Sequence, residues 1–276
     1  MVTRMKKRLL AGVSATVLAT GVLVPGTARP AQAVDPGTVA SIIQFAAAAF
    51  SYFKGSQNGG MTIEQATRQI ISAVNTSRDA IIAHADALAV AEATACVRHH
   101  VLEFADIAEF SLSLKQRWAQ DVTSCVTLID ALWSGVGADN TGARNQLGIL
   151  LGAIGPIALV ARAEARFSTA ELTTLLVNAF NRAKLRFQPT CFGTPYFINE
   201  EFWLYHPEPV WLDGGFFCYG GYDSIVQDYV GMASTGGRAW FQGGNLLEYD
   251  FSPLVDASSR QTAHGVAVAA LAQLQP

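Results

Sequence analysis

The chain has 276 residues, half of them hydrophobic, and it carries 19 Lys and Arg against 22 Asp and Glu. This length and apolar content suit one large domain or two small ones with a sizeable core. The slightly acidic balance argues against nucleic-acid binding, which needs clustered basic charge, so we expect no nucleic-acid partner.

The first 33 residues have the pattern of a cleavable secretory signal. Four basic residues lie between positions 4 and 8, an uncharged stretch runs from Leu9 to Val24, and Ala31 and Ala33 are the small residues that signal peptidase accepts. A retained membrane anchor is the alternative, but sixteen residues fall short of the about 20 that span a bilayer. We therefore expect residues 1–33 to be a cleaved signal and the protein to be secreted. Residues 34–276 keep 14 Lys and Arg against 22 Asp and Glu, a formal charge of −8.

Residues 34–188 have the pattern of a helical bundle of about five helices. A first helix is predicted over 35–55, and a capping box of Thr62 and Gln65 starts a long helical region without Gly or Pro up to Trp133. We expect a break in this region near 110–113, where Ser111 and Ser113 can start a second helix.

Two more helical segments complete the predicted bundle. Leu147–Ala161 is uncharged and contains Pro156, so a helix with a kink or break near that proline is expected. Ser168 and Glu171 have the spacing of a capping box for the next helix, and Pro189 ends the helical part.

The composition changes from Cys191 onward, where glycine and aromatic residues accumulate and helical periodicity stops. Short strands are predicted there, and the final segment, 257–275, has a weak preference for helix. The fold class predicted is thus mainly α: a disulfide-braced helical bundle, followed over residues 189–276 by a small antiparallel β-rich module. The strands are predicted at 197–205, 210–219, 239–242 and 246–251.

The four cysteines indicate two local disulfides. An even number of cysteines in an exported chain favours disulfides, and no two of them have the C-x-x-C spacing of a zinc or redox site. The midpoint of Cys96 and Cys125 falls at the expected helical break, so a helical hairpin would bring them together. Cys191 and Cys218 flank the predicted turn at 206–209, and we expect them to form the second pair.

The aromatic residues of the β-rich module are the leading candidates for a binding surface. Exposed aromatic side chains bury a large area on a partner at little entropic cost. The alternative is that they form only the core of the small sheet. We expect a binding role for Trp203, Tyr205, Trp211 and Tyr219.

Carboxylates of the same module are candidates for a hydrolytic site. Glu248 and Asp250 would lie on one face of a strand, and paired acids near aromatic residues are typical of glycosidases. The alternative is a solvated polar face. The chain has none of the common catalytic or nucleotide-binding motifs, so its catalytic residues, if any, are unknown. Glu200, Glu201 and Asp213 are further acidic candidates.

His99, His100 and Glu103 are candidates for a metal or acid–base group. Their spacing makes each histidine a helical neighbour of Glu103. Adjacent histidines on a helix point about 100° apart, however, which disfavours a shared ion. We expect one histidine to face the core and the other the solvent, and we predict no metal and no cofactor.

Three functions remain as hypotheses, in order of preference. The first is a secreted, non-catalytic binding protein whose partner is a protein or a cell-wall polysaccharide. The second is an extracellular hydrolase of glycans or peptidoglycan. The third is a helical membrane-active protein using Leu147–Ala161, although this segment is too short to span a bilayer and resembles the central helix of a bundle, so membrane insertion is not expected.

Overall fold

The computed structural model of the protein describes Arg68, Ile71 and residues 84–196, 200–221, 230–260 and 262–275, all within the compact unit Ala31–Pro276. The expected signal at 1–33, the helix predicted over 35–55 and the capping box of Thr62 and Gln65 lie outside the described residues.

Helices α1 and α2 form the first pair. Helix α1 spans His84–Phe104, a single 3₁₀ turn follows at Ile107–Glu109, and α2 spans Leu112–Gly135. Ser111 begins α2, because its Oγ accepts a hydrogen bond from the Leu114 N–H at 3.3 Å. The predicted break near 110–113 is confirmed.

A disulfide joins α1 to α2. The Cα atoms of Cys96 and Cys125 are 6.0 Å apart, within the range that a disulfide requires. Cys125 is buried, and Cys96 packs against the same hydrophobic core. The predicted pairing across the helical break is confirmed.

Helix α3, Thr141–Glu164, is the central element of the bundle. Asn140 caps it, since its Oδ1 accepts a hydrogen bond from the Ala143 N–H at 3.1 Å. Every residue from Leu147 to Ala161 is buried. The prediction of a break near Pro156 is wrong: the helix continues to Glu164, because packing on all sides stabilises it despite the backbone hydrogen bond that proline removes.

Helix α4 spans Ala170–Arg186 and ends in Lys184 and Arg186, which suit the negative end of the helix dipole. Its predicted capping box does not form as expected. The N-cap is Thr169, and Ser168 Oγ instead accepts a hydrogen bond from the Ala170 N–H at 3.4 Å.

Four antiparallel strands follow the bundle, in the spatial order β1-β2-β3-β4. Cys191 of β1 lies opposite Cys218 of β2, with Cα atoms 4.1 Å apart, so the second predicted disulfide pair is also confirmed. The strands are β1 Thr190–Pro195, β2 Val210–Gly220, β3 Gly231–Gln242 and β4 Asn245–Glu248.

The strand predicted over 197–205 is wrong for its described part, where a short helix, α5, spans Glu200–Tyr205. Leucine and glutamate both favour helix. Strand β2 is confirmed. Strand β3 begins eight residues earlier than predicted, whereas β4 ends at Glu248 rather than continuing to residue 251.

Two terminal helices complete the chain: α7 lies within the segment 257–275 for which a weak helical preference was predicted, whereas α6 begins five residues before it. Helix α6, Ser252–Ser259, packs on the inner face of the sheet and contributes Leu254 to its core. Helix α7, Ala263–Leu274, packs against α3 and α4 and buries Val266, Ala267 and Ala270 in the core of the bundle. The protein is thus mostly helical, with one antiparallel sheet.

Candidate functional site

Strand β2 separates an inner from an outer side of the sheet. Successive side chains of a strand point to opposite faces. Phe216 and Cys218 point inward and are fully buried beneath α6, whereas Trp211 and Asp213 point outward and are exposed. The outer face of the sheet is therefore the place where polar and aromatic residues of this module meet solvent.

A tryptophan pair occupies one end of the outer face. Trp211 of β2 lies directly opposite Trp240 of β3. Their ring centroids are 5.3 Å apart, at an interplanar angle of 61°, which is the edge-to-face arrangement that aromatic pairs prefer. Each side chain remains a little over 40% exposed. The pair is held in place by cross-strand packing while still offering ring surface to a partner.

An aromatic stack occupies the other end. The ring of Phe192, on β1, stacks on Phe217 at 5.5 Å and on Tyr219 at 5.7 Å. Met232 of β3 lies opposite Tyr219 and is exposed, as is Phe192. Tyr219 is eight positions after Trp211 in β2, so the two ends are about 27 Å apart at the usual rise of a strand.

Tyr196 lies between the two ends, above a pair of glycines. Gly215 and Gly236 are opposite each other in β2 and β3. A Cβ atom at Gly215 would lie 3.2 Å from a ring carbon of Tyr196, and one at Gly236 would lie 3.2 Å from its hydroxyl oxygen. These glycines thus allow the tyrosine to approach the backbone closely. Below, "the aromatic face" means Phe192, Tyr196, Trp211, Phe217, Tyr219 and Trp240.

One ion pair lies beside the tryptophan pair on the same face. Asp213 and Arg238 are opposite each other in the sheet, with Arg238 Nε 3.4 Å from Asp213 Oδ1. Arg238 Nη2 also donates a hydrogen bond to the Trp211 carbonyl oxygen at 3.2 Å. Both charged side chains are more than half exposed. An exposed ion pair of this kind adds little stability. Because both side chains are exposed, their charged groups are accessible to a ligand.

Of the four residues predicted to bind a partner, the structure brings two together. Trp211 and Tyr219 both lie on the aromatic face. Tyr205 is the last residue of α5 and is 74% exposed. Trp203 also belongs to α5, and its side chain lies outside the described residues. Sequence patterns did not single out Trp240 for binding, because its position opposite Trp211 depends on the pairing of β2 with β3.

The proposed pair of acids does not share a strand face. Glu248 is the last residue of β4 and lies opposite Trp240. Asp250 lies beyond the strand, where its Oδ1 accepts a hydrogen bond from the Ser252 N–H at 2.9 Å. Hydrogen bonding to Ser252 holds the pKa of Asp250 below its usual value. Ser252 is the first residue of α6. The hydrogen bond from its N–H to Asp250 therefore stabilises the beginning of that helix.

Of the other acidic candidates, only the side chain of Asp213 lies in the part of the chain that the structure describes. Asp213 forms the ion pair with Arg238, and the side chains of Glu200 and Glu201 lie outside the described residues. Of the described acidic candidates, Asp213 is thus paired with Arg238, and Asp250 is held by the Ser252 N–H.

The two histidines of α1 take the orientations expected of them. His99 is exposed and His100 is buried against Trp118, with ring centroids 6.3 Å apart. Burial lowers the pKa of His100, the nearby His99 lowers it further, and Glu103 opposes both. Contrary to the argument from their 100° separation, however, ring nitrogens of both histidines come within 4.8 Å of each other and of a Glu103 oxygen.

The apolar stretch Leu147–Ala161 belongs to the core. Helix α3 is long and apolar enough to cross a bilayer by length and composition alone, and 89% of its most apolar window is buried inside the protein. A central helix of a bundle has these same properties, because it is covered on all sides.

A scan against protein-family models and searches of curated protein sequences and of solved structures found no match to this chain.

Proposed function

We propose that the protein is an exported, non-catalytic binding protein, and that the aromatic face is its binding surface. The observation that supports this is the exposed pair of Trp211 and Trp240. Burying the two tryptophan rings would lower the free energy of the folded protein, yet both lie on the outer face of the sheet. Large apolar side chains in a defined array on a surface mark interaction sites.

We favour a polysaccharide chain over a protein as the partner. The aromatic face is a long row of rings, about 27 Å from Trp211 to Tyr219 along β2. At its centre, Gly215 and Gly236 lie beneath Tyr196. An extended polymer fits such a row, because the apolar faces of successive sugar rings stack on aromatic rings. The Asp213–Arg238 pair supplies charged hydrogen-bonding groups for sugar hydroxyls. A protein partner would favour a broad patch with an apolar centre.

Export rests on the N-terminal pattern and on the disulfides. Two cysteine pairs at disulfide distance are compatible with an extracellular location. Secretion with cleavage after Ala33 would produce a protein that begins at Val34. The intact mass of the protein recovered from culture medium tests this, and a mass that retains residues 1–33 would contradict it.

A sedimentation assay tests the binding proposal. The full chain is expressed with its own N-terminal segment, purified from the medium and mixed with insoluble peptidoglycan, chitin or cellulose, and the bound fraction is measured. We expect binding to at least one of these polymers. In the double variant Trp211→Ala/Trp240→Ala, we expect the affinity to fall by about tenfold or more, since tryptophans that become buried on binding contribute much of the binding free energy.

Tyr205→Ala provides the matched control. Tyr205 is a more exposed aromatic residue than either tryptophan, but it lies on α5 rather than on the aromatic face. We expect this variant to bind as the unmodified protein does. Equal losses for Tyr205→Ala and the tryptophan variant would contradict the proposal, as would the absence of binding to all three polymers.

A further inference from the structure

The last turns of α1 bring three metal-ligating side chains together. His99 Nε2 lies 3.4 Å from Glu103 Oε1, and His100 Nδ1 lies 3.4 Å from Glu103 Oε2. The ligand atoms of the three residues all lie within 4.8 Å of one another. The carboxylate of Glu103 is a helical neighbour of both histidines, so one of its oxygens faces each ring.

Two of these atoms are buried and form no hydrogen bond. His100 is 96% buried, and its Nδ1 faces Glu103 Oε2 at ion-pair distance without the geometry of a hydrogen bond. A buried nitrogen and a buried carboxylate oxygen without hydrogen-bond partners are energetically costly. A cation between them would satisfy both atoms at once.

We propose that His99, His100 and Glu103 bind one divalent ion of the late first-row metals, of which Zn²⁺ is the simplest probe. Two ligand atoms at about 2.0–2.1 Å from a tetrahedral ion are about 3.4 Å apart. This is the separation of each histidine nitrogen from its Glu103 oxygen. The exposed ring of His99 can rotate to complete the set, and solvent supplies the remaining position.

The donor atoms select this class of ion. Two imidazole nitrogens and one carboxylate oxygen suit Zn²⁺, Cu²⁺ or Ni²⁺, whereas Ca²⁺ and Mg²⁺ require oxygen ligands. The Cys96 and Cys125 sulfur atoms also lie within 4.8 Å of a His100 ligand atom, but as a disulfide they are not thiolate ligands. The test must therefore keep this disulfide intact.

Isothermal titration of the full chain, without an affinity tag or reductant, tests the proposal. We expect one Zn²⁺ per chain and no uptake of Mg²⁺ or Ca²⁺. His99→Gln and Glu103→Gln should each weaken Zn²⁺ binding by about tenfold or more, because each removes one of three ligands. Both residues are partly exposed, and circular dichroism checks that the variants fold.

A second histidine–carboxylate pair gives the control. His206 Nδ1 lies 3.3 Å from Glu208 Oε1 at an exposed site. His206→Gln should therefore leave Zn²⁺ affinity unchanged. The proposal is overturned if the unmodified chain binds no Zn²⁺, or if it binds Ca²⁺ or Mg²⁺ as well as Zn²⁺. It is also overturned if the folded His99→Gln and Glu103→Gln variants bind Zn²⁺ as tightly as the unmodified chain, or if His206→Gln weakens Zn²⁺ binding as much as they do.

Discussion

Asn145 of α3 accepts a buried hydrogen bond from the backbone N–H of Ala263, at 2.7 Å. The two residues are 118 positions apart in the chain, and Ala263 is the first residue of α7. The first N–H groups of a helix have no partner within it, so a buried helix start needs acceptors from elsewhere. The central helix of the bundle thus caps the C-terminal helix.

Replacing Asn145 by Ala should lower the free energy of unfolding by about 1–3 kcal/mol, because the Ala263 N–H would stay buried without an acceptor. Urea denaturation measures this change. Asn245→Ala is the matched control: this asparagine is exposed in β4, and its replacement should alter stability by about 0.5 kcal/mol at most. Equal stability of the Asn145→Ala and unmodified proteins would contradict the role of this cap.

Gly148 allows the same two helices to approach. A Cβ atom at this position would lie 2.6 Å from the Ala263 Cβ, a distance that requires the backbones to separate. Gly148→Ala gains about 1 kcal/mol of helix propensity, but such overpacking costs about 1–3 kcal/mol. We expect a net loss of up to about 2 kcal/mol in thermal or urea unfolding.

Gly135→Ala is a control that separates the two effects of Gly148→Ala, the gain in helix propensity and the cost of overpacking. Gly135 also lies in a helix, yet no atom would come within 4 Å of an added Cβ. This control should be neutral or slightly stabilising. A Gly148→Ala variant that behaves like Gly135→Ala would show that α3 and α7 are not in close contact.

The disulfide between Cys96 and Cys125 should contribute much of the stability of the α1–α2 pair. Closing a loop of this length restricts the unfolded chain and is worth about 3–4 kcal/mol in the chain-entropy model. We therefore expect the double variant Cys96→Ser/Cys125→Ser to lose about that amount in urea denaturation. Mass spectrometry of unreduced peptides should show Cys96 linked to Cys125, and a Cys96–Cys191 link would contradict the fold.

The helical part was predictable because its signals are local. Ser111 starts α2 through a hydrogen bond to a residue three positions away, and the chain reversal beside it pairs Cys96 with Cys125. The burial of Leu147–Ala161 follows from its lack of charge. In each of these cases the structure depends mainly on residues close in sequence, which is what periodicity and capping patterns detect.

The sheet was less predictable because its pairing depends on distant residues. Strand β3 begins with Gly231 and contains Gly236 and Gly237, which disfavour strands when considered alone. Pairing with β2 outweighs that preference and places Trp240 opposite Trp211. The aromatic face thus combines residues from three segments, and only the register of the strands reveals it.

The histidine cluster shows a different limit of sequence reasoning. The 100° between His99 and His100 describes where their Cβ atoms point, and it correctly predicts that one is exposed and one buried. It says nothing of which ring nitrogen each presents. His99 presents Nε2 and His100 presents Nδ1 to the same carboxylate, and side-chain rotamers decide this.

His264 should make the stability of the protein depend on pH. Its Nδ1 donates a hydrogen bond to the Lys184 carbonyl oxygen at 2.9 Å. Burial lowers the pKa of His264 below its ordinary value of 6.5, although the carbonyl acceptor opposes this, and the charge of Lys184 lowers it further. Between the folded pKa and 6.5 the unfolded chain binds more protons, so stability rises with pH in this interval. The contribution is fully present above 6.5 and is lost as the pH falls through the folded pKa.

His264→Gln keeps a donor for the Lys184 carbonyl but cannot titrate. The free energy of unfolding of this variant, measured by urea denaturation between about pH 5 and pH 7, should therefore rise less steeply with pH than that of the unmodified protein. Some dependence should remain, because burial also lowers the pKa of His100. Asn245→Ala is the control: Asn245 is exposed and does not titrate, and the slope should not change. An unchanged slope in His264→Gln would contradict a lowered pKa of His264 in the folded protein.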